Sequence, residues 1–351
     1  MKAVKTFFFV ITLTIVLTVL IAPGFAQTPL TAKELLETTA LKEHLNELKE
    51  GQIVSIKRPE TESASELNVI MAVLVPATLD KTVATLQRQA TAEDGQDILA
   101  MGEIKESTAS GLDSAFARVA FTPEEKGEVK SLMAIAPGDN FNFSIAEIAA
   151  IKQKAAALGG KAKDGVEASK AMSSATREVL KGRYLSYRKS GMAGLAPYQI
   201  GASKQVDPSK EMITATETMR LVKERFPDFY KCLRFYPETN SAQFAHQYDW
   251  VKQTESNRPL FYLKHWIMDI QPDHALIAER RFYISHSLNS LQVVIGCLPD
   301  GDSTLVVLLN QAFTEKVNMK YGKTIAKSIG YKQVDKNIRP MFENLQKALR
   351  P

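Results

Sequence analysis

The sequence lacks the short motifs that identify the most common catalytic and nucleotide-binding folds. It has no G-x-S-x-G motif, so an α/β-hydrolase nucleophile has no support. No G-x-G-x-x-G follows a predicted strand, which leaves a dinucleotide-binding enzyme without support. Gly322-Lys323-Thr324 matches the end of a P-loop, but Val317 stands where that loop requires its first glycine. We therefore attribute the P-loop match to chance.

Histidine is scarce, and its spacing does not indicate a metal centre. The five histidines are His44, His246, His265, His274 and His286. None of them forms an H-E-x-x-H pattern or accompanies a C-x-x-C pair, the arrangements typical of zinc sites. We therefore expect no metal site and no cofactor.

Cysteine is scarcer still, with only Cys232 and Cys297 in the chain. An oxidising compartment would permit a disulfide between them, and closing this ~65-residue loop would contribute about 4 kcal/mol. The alternative is two separate buried thiols, since Cys297 lies in an apolar run typical of a strand. The sequence alone leaves both alternatives open.

Long apolar runs are absent except at the start of the chain. Lys2 and Lys5 precede an apolar run from Thr6 to Ala22, and Pro23 and a small-residue segment ending at Ala26 follow. This order is typical of a secretory signal peptide, and it predicts cleavage after Ala26 and a periplasmic or secreted protein. A retained membrane anchor is the alternative, although the run is short for a bilayer.

The overall composition is that of a globular protein with little excess charge. Of 351 residues, 45% are apolar and 24% are charged, and 44 basic against 39 acidic residues give a net charge of +5. These values exclude collagen, a coiled coil and a disordered chain. We expect no nucleic-acid partner for an exported protein.

The first half of the chain predicts mixed helices and strands. Residues 27–50 are expected to form an N-terminal helical segment that begins at the capping box of Thr31 and Glu34. A strand is expected over Leu67–Val75. Residues 98–135 are interpreted as strands with a turn at Thr122–Gly127, although Thr122 and Glu125 also fit a capping box that would begin a helix. Further capped helices are expected after Ser144 and Asp207, with a connection near 159–171.

The last third predicts an antiparallel meander followed by an amphipathic helix. Four runs of strand length are separated by short turns, which is typical of a meander. They are Phe261–Ile270, Ala278–Ser285, Leu291–Leu298 and Thr304–Gln311. Helical spacing follows from Val334 to Leu349, with Pro340 inside the pattern. We therefore expect an α+β fold, with residues 51–351 forming one enlarged domain that contains helical insertions.

This order of elements resembles the helix-grip arrangement of START-like lipid-binding domains. The resemblance rests on the strand, proline and helix over Asn68–Leu86, the later meander and the terminal helix. It implies a curved sheet around the terminal helix, with an apolar cavity between them. The segment Ala278–Leu309 also resembles stretches of uncharacterised exported bacterial proteins, which implies no activity.

Candidate ligand-binding residues lie near the end of the second meander strand. Alternation in a regular strand places Arg281 and Tyr283 on one face, with His286 and Asn289 close to the strand end. If that face lines a cavity, these groups would orient the polar end of a ligand. The alternative is a solvated face on which His286 only supports a turn.

Aromatic residues are concentrated between Phe226 and Trp266. This region contains the side chains Tyr230, Tyr236, Tyr248, Trp250 and Trp266. Such rings could line a pocket or stack on sugars, but aromatic side chains more often belong to the core.

The chain ends in a basic segment. Between Lys316 and Pro351 there are nine basic and two acidic residues. The lysines that fall on one face of an uninterrupted helix are Lys316, Lys320, Lys323 and Lys327. Such a face would attract an anionic membrane or polysaccharide surface, and the alternative is an ordinary solvated helix.

Together these patterns predict an exported, non-catalytic binding protein for an apolar or amphipathic, lipid-like ligand. The alternatives are an envelope hydrolase that uses His286 with a nearby hydroxyl, and an envelope assembly factor that binds partners through the basic segment.

Overall fold

A computed structural model describes residues 30–58, 63–91, 97–105, 109–138, 140–159, 165–201, 204–238, 241–317 and 322–350. The predicted signal peptide and Lys320 lie outside these ranges. Within them, no helix combines the length and apolar character needed to cross a membrane.

Eight antiparallel strands form the main sheet. In chain order they are β1 (Val54–Arg58), β2 (Glu66–Val75), β3 (Ile98–Glu103), β6 (Ala245–Glu255), β7 (Arg258–Ile270), β8 (Ala275–Ile284), β9 (Ser290–Asp300) and β10 (Ser303–Phe313). Their order across the sheet is β1-β2-β10-β9-β8-β7-β6-β3. Two further short strands, β4 (Tyr198–Gln199) and β5 (Gln205–Val206), pair with each other. The predicted antiparallel meander is confirmed as β7 to β10, and β6 extends it by one strand.

Helices pack on both faces of the sheet. They are α1 (Ala32–Thr38), α2 (Leu45–Lys49), α3 (Leu79–Thr91), α4 (Ala109–Ala115), α5 (Lys126–Met133), α6 (Ile145–Ala157), α7 (Gly165–Ser190), α8 (Pro208–Glu217), α9 (Arg220–Arg225), α10 (Pro227–Phe235) and α11 (Lys323–Leu349). One face of the sheet contacts α3 and α11, and we call it the terminal-helix face. The opposite face carries the remaining helices.

The terminal-helix face is apolar where α3 and α11 cross it. Val73 of β2, Val83 of α3 and Phe342 of α11 belong to one buried cluster, and Phe342 is fully buried. The helix approaches the sheet closely at Gly330, where a Cβ atom would lie 2.7 Å from Leu67 Cδ1. Pro340 lies inside α11 without ending it. The predicted C-terminal amphipathic helix is therefore confirmed.

The opposite face is rich in aromatic side chains. Trp250 of β6, Leu263 of β7 and Phe282 of β8 pack in one buried cluster with Leu180 and Tyr184 of α7. Apolar burial of this extent is the main stabilising term in folding. This layer also positions the polar residues described below.

The N-terminal segment is interrupted, whereas the sequence predicted a single helical segment over residues 27–50. α1 ends at Thr38, and a 3-10 turn over Ala40–His44 separates it from α2. Thr39 is extended, with φ of −117°, and its hydroxyl bonds to Leu35 O and Leu41 N. Threonine hydroxyls that bond to nearby backbone groups compete with a continuing helix, which explains the break.

The interpretation of residues 98–135 as strands was wrong after Glu103. α4 and α5 follow β3, and the Thr122–Glu125 capping box is formed ahead of α5. Val129 and Leu132 of α5 are buried against the core. Gly127 costs about 1 kcal/mol relative to alanine in a helix, and these buried side chains outweigh that cost.

Candidate functional site

A β-bulge separates the predicted ligand-binding residues. The β7–β8 register shifts between Leu263 and Lys264, so the alternation of side chains in β8 is interrupted. Arg281 lies on the terminal-helix face, where it donates a 2.6 Å hydrogen bond to Glu279. Tyr283 is buried on the opposite face with Phe282. The prediction that Arg281 and Tyr283 share a face was wrong, because the bulge interrupts the alternation between them. The sequence of one strand does not reveal such a bulge.

His286 is held inside the fold by neighbouring groups. Its Nδ1 lies 2.8 Å from Ser287 Oγ, and its Nε2 lies 3.2 Å from Pro259 O. Burial lowers the pKa of His286 to about 4, together with the positive charges of Arg258 and Lys316. The imidazole is therefore neutral near pH 7, with both ring nitrogens occupied.

Asn289 is part of a buried carboxylate site. Its Nδ2 donates to Glu211 Oε1 at 2.8 Å, and Ser290 Oγ donates to Glu211 Oε2 at 2.7 Å. Burial raises the pKa of Glu211 to about 7, opposed by these two hydrogen bonds and aided by the negative charges of Glu315 and Asp207. Asn289 therefore satisfies a carboxyl group in the folded protein.

Replacing Glu211 by glutamine is expected to remove one component of the pH dependence of stability. The folded pKa of Glu211 lies above the ordinary glutamate value of 4.5, so the folded state binds more protons over this interval. Stability therefore falls as the pH rises from about 4.5 to about 8. We expect Glu211→Gln to exceed the wild type by on the order of 2 kcal/mol at pH 8 and to match it near pH 4.5.

Urea unfolding at both pH values measures this difference. Glu217→Gln, which removes the same charge from an exposed position of the same helix, is the control for a general effect of charge. A Glu211→Gln variant with the same pH dependence as the wild type would contradict the assignment.

The basic residues do not form the predicted continuous stripe. Lys316 lies in a 3-10 turn over Glu315–Val317, whereas Lys323 is the first residue of α11. Lys316 and Lys323 therefore belong to different elements. Lys327 lies in the next turn of α11, and Lys320 lies outside the described residues. The prediction of one helical face running from Lys316 was wrong, because α11 begins only at Lys323.

Cys232 and Cys297 are free thiols on opposite sides of the sheet. Cys232 packs beside Leu233 and Phe229, whereas Cys297 belongs to the cluster on the terminal-helix face. Of the two alternatives, the structure shows two separate buried thiols. Burial raises the pKa of Cys232 to about 11 and that of Cys297 to about 12, so both remain protonated.

Two cavities open on or beside the opposite face, and neither is lined by α11. The smaller has a volume of about 260 Å³ and is lined by Phe226, Pro227, Asp228, Phe229, Gln243, Phe244, Asp269, Gln271 and His274. The larger has a volume of about 390 Å³ and is lined by Glu103, Ile104, Lys105, Arg188, Tyr236, Ser241, His246, Gln247 and Tyr248. We call the larger cavity the Arg188 pocket.

The Arg188 pocket lies where four parts of the fold meet. The segment directly after β3 supplies Lys105, and α7 supplies Arg188. Tyr236 comes from the end of α10, and β6 supplies His246 and Tyr248. The hydroxyls of Tyr236 and Tyr248 lie 2.6 Å apart. Of the predicted aromatic candidates, these two line the pocket, whereas Trp250 and Trp266 are buried in core clusters.

A chain of hydrogen bonds connects the pocket with the interior. His246 Nε2 lies 2.8 Å from Ser241 O, and His246 Nδ1 lies 2.8 Å from His265 Nε2. His265 Nδ1 lies 2.8 Å from the Tyr187 hydroxyl, to which Arg280 Nη1 donates at 3.3 Å. His265, Tyr187 and Arg280 are fully buried.

The hydrogen-bond partners of His246 and His265 determine which ring nitrogen of each carries the proton. Ser241 O only accepts, so His246 Nε2 must carry a proton, and the Nδ1 of neutral His246 accepts from His265 Nε2. His265 Nδ1 then accepts from the Tyr187 hydroxyl, whose oxygen accepts from Arg280. A second proton on His246 would exchange donor and acceptor in the His246–His265 and His265–Tyr187 hydrogen bonds. The hydroxyl proton of Tyr187 would then have no acceptor among these residues. Both imidazoles are therefore neutral in this network.

Electrostatics favour the same protonation state. Burial lowers the pKa of His265 well below its usual value, and His246, Arg280 and Arg188 lower it further. Burial also lowers the pKa of His246, and the charge of Arg188 acts in the same direction. The two histidines hence contribute hydrogen-bonding groups near pH 7, and the arginines contribute the positive charge.

The charge of Arg280 is surrounded by neutral acceptors. Gln292 Oε1 accepts from Arg280 Nε at 3.0 Å and from Nη2 at 2.6 Å, and Leu233 O accepts from Nη2 at 2.7 Å. An arginine side chain stays protonated in proteins, so its charge persists behind the two histidines. This buried cation adds to the positive potential at the pocket.

Arg188 brings a second positive charge to the pocket itself. Its guanidinium lies 4.5 Å from the centre of the Tyr248 ring, and Nη1 donates to the Tyr184 hydroxyl at 2.8 Å. Within the described part of the chain, its buried Nε has no hydrogen-bond partner. A cation held by neutral groups at the wall of a cavity is suited to binding an anion.

The sequence contains these residues without indicating that they meet. His246 and His265 lie on neighbouring strands, and Arg188 and Tyr187 belong to a helix in another layer. The alternation of β8 correctly places Arg280 and Arg281 on different faces, but it does not show which face leads to a pocket. Within the described residues, no group of three or more histidine, cysteine or acidic side chains could hold a metal ion.

Comparisons of this chain with family models, with curated proteins and with solved structures found no match.

Proposed function

We propose that this protein is an exported binding protein whose Arg188 pocket takes a small amphipathic organic anion. The observation that carries the proposal is Arg188, a cation that lines a cavity of about 390 Å³ and whose hydrogen-bond partner is the neutral hydroxyl of Tyr184. This volume falls within the range of about 300–1,000 Å³ that is typical of small-molecule sites.

The pocket offers separate surfaces to the two ends of such a ligand. Arg188 and Lys105 supply positive charge for a carboxylate or a similar group, although Glu103 lies 3.1 Å from Lys105 and offsets part of it. Ile104 and the rings of Tyr236 and Tyr248 supply apolar and aromatic surface. Since both histidines are neutral, no imidazolium contributes to the attraction.

Export and the START-like relationship belong to the same proposal. Export is supported by the order of charged, apolar and small residues before Ala26. The START-like relationship is supported by an antiparallel meander followed by a helix that packs on the sheet. The helices on the opposite face and the position of the Arg188 pocket depart from the expected helix-grip arrangement. A lipid-like carboxylate fits this pocket better than a wholly apolar ligand.

Arg188→Gln is expected to weaken binding of an amphipathic carboxylate by about tenfold to a hundredfold. Hydrogen bonds to charged groups contribute about 1.5–3 kcal/mol, and each 1.4 kcal/mol changes the dissociation constant tenfold. Isothermal titration calorimetry with octanoate measures this change. Titration with 1-octanol should show little difference between the two proteins, because the alcohol carries no charge.

Lys189→Gln is the matched control for this experiment. Lys189 is the exposed neighbour of Arg188 in α7, and its replacement removes the same charge one residue away. We expect its affinity for octanoate to equal that of the wild type. Equal affinity of the wild type and Arg188→Gln for octanoate would overturn the proposal, as would the absence of measurable binding to the wild type.

A further inference from the structure

The N-terminal half of α11 presents an exposed apolar pair in basic surroundings. Ile325 and Ile329 have exposed fractions of 68% and 62%, the two highest among the described large apolar side chains. They are one helical turn apart, so their side chains lie on the same face of the helix. Exposing two adjacent isoleucines to water is unfavourable, and such a feature is typical of a surface that binds a partner.

Lysines continue the same face. Lys332 and Lys336 follow Ile325 at seven and eleven residues, which places all four side chains of Ile325, Ile329, Lys332 and Lys336 on one stripe. Lys332 and Lys336 are exposed. From residue 322 to residue 336 the chain has four lysines and a single acid, Asp335, whose carboxylate binds Arg339 at 2.9 Å. The stripe is therefore both apolar and positively charged.

The packing of α11 fixes the direction of this stripe. Gly330 and Tyr331 lie against the sheet, where a Cβ atom on Gly330 would be 2.7 Å from Leu67 and the Tyr331 hydroxyl donates to Arg58 O at 3.1 Å. Ile325 and Ile329 lie on the far side of the helix from these contacts. The helix is held by its buried side, so the exposed side is available without rearrangement of the fold.

We propose that the stripe formed by Ile325, Ile329, Lys332 and Lys336 docks the protein onto an anionic lipid bilayer. The lysines would lie among the anionic headgroups, and the two isoleucines would enter the boundary between headgroups and acyl chains. Charge complementarity selects an anionic surface. The isoleucines select a bilayer over a polysaccharide, because only the bilayer offers them an apolar environment. This proposal does not depend on the Arg188 pocket.

Vesicle co-sedimentation of the exported, processed protein tests the docking surface. Vesicles of equal parts phosphatidylglycerol and phosphatidylcholine are expected to bind the protein, and pure phosphatidylcholine vesicles at least tenfold less. Raising the salt concentration should weaken binding, since it screens the lysines. The double substitution Ile325→Ser and Ile329→Ser should lower binding to the anionic vesicles at least about tenfold, since it removes the inserted apolar area.

Ile145→Ser provides the matched control. Ile145 is an exposed isoleucine of α6 on another part of the surface, and its replacement should leave vesicle binding unchanged. Unchanged thermal unfolding of the α11 variant would show that it is folded, as expected for exposed positions. Arg188→Gln should bind vesicles as the wild type does, so failure of the pocket and failure of the docking surface are distinguishable.

Three results would overturn the proposal. One is no binding to the anionic vesicles. A second is binding that salt abolishes but that the double serine variant retains, which would indicate a purely electrostatic partner such as an anionic polysaccharide. The third is a wild-type dimer that the double serine variant converts to a monomer, because a second copy of this chain would then cover the stripe.

Discussion

Replacing Gln292 by leucine is expected to lower the free energy of unfolding by about 3–5 kcal/mol. Gln292 Oε1 accepts two hydrogen bonds from the fully buried Arg280 guanidinium, at 3.0 and 2.6 Å. Leucine removes this acceptor, and the guanidinium cannot lose its proton to reduce the cost. The variant therefore retains a buried cation that has lost its main acceptor. Chemical denaturation of both proteins measures the difference.

A second substitution identifies the buried charge as the cause. Arg280→Met introduced into the Gln292→Leu background removes the uncompensated cation, so the double variant should recover to within about 2 kcal/mol of the wild type. An additive model predicts instead that the double variant is the least stable of the set. Additive losses, or a loss below about 1 kcal/mol for Gln292→Leu alone, would contradict the role assigned to this pair.

Gly191→Ala is expected to destabilise the protein by about 3 kcal/mol or more. Gly191 follows the last residue of α7 and has φ of +56°, a left-handed conformation that costs other residues about 1–2 kcal/mol. A Cβ atom there would lie 1.8 Å from the carbonyl oxygen of Tyr236, so one of the two segments must move. Since Tyr236 lines the Arg188 pocket, we also expect weaker octanoate binding. Thermal unfolding and calorimetry measure both effects.

Gly182→Ala gives the matched control in the same helix. Gly182 lies inside α7, and nothing stands within 4 Å of a Cβ atom at that position. Alanine is the better helix former, so this variant should gain about 0.5–1 kcal/mol and bind octanoate normally. Equal stability of the two alanine variants would contradict the close approach of Gly191 to the Tyr236 carbonyl oxygen.

The parts of the fold that depend on local patterns were predictable from the sequence. β7 to β10 are runs of apolar and β-branched residues separated by short turns, and α11 repeats apolar residues at helical spacing. The capping residues Ser144 and Asp207 correctly indicated where α6 and α8 begin. These signals lie within a few residues of one another, so a single sequence is enough to reveal them.

β6 was missed because its polar residues find partners in distant parts of the chain. Lys252 Nζ donates to Glu125 Oε2 at 2.6 Å and to Ala120 O at 2.8 Å, and Asp249 accepts from Trp266 Nε1 at 3.1 Å. Such contacts allow polar side chains inside a buried strand. The sequence of β6 therefore lacks the apolar pattern that would indicate a central strand.

The candidate site was missed for a related reason. His246, His265, Tyr187 and Arg188 are far apart in the chain or lie in different layers, and only the folded arrangement joins them. The predicted residue His286 is separated from the pocket and is held by Ser287 and Pro259. His286 was predicted as a ligand-binding residue from its position near a strand end. That position does not reveal which histidine reaches a cavity.

The most direct measurement is a nitrogen-15 NMR titration of the side chains with octanoate at pH 7. We expect His246 and His265 to be neutral with protonated Nε2, as their hydrogen-bond partners require. We also expect the Arg188 Nε–H resonance to shift and to saturate with the dissociation constant found by calorimetry, while the Arg177 resonance of the same helix stays constant. A charged histidine pair, or saturation without any change at Arg188, would contradict an anion site in this pocket.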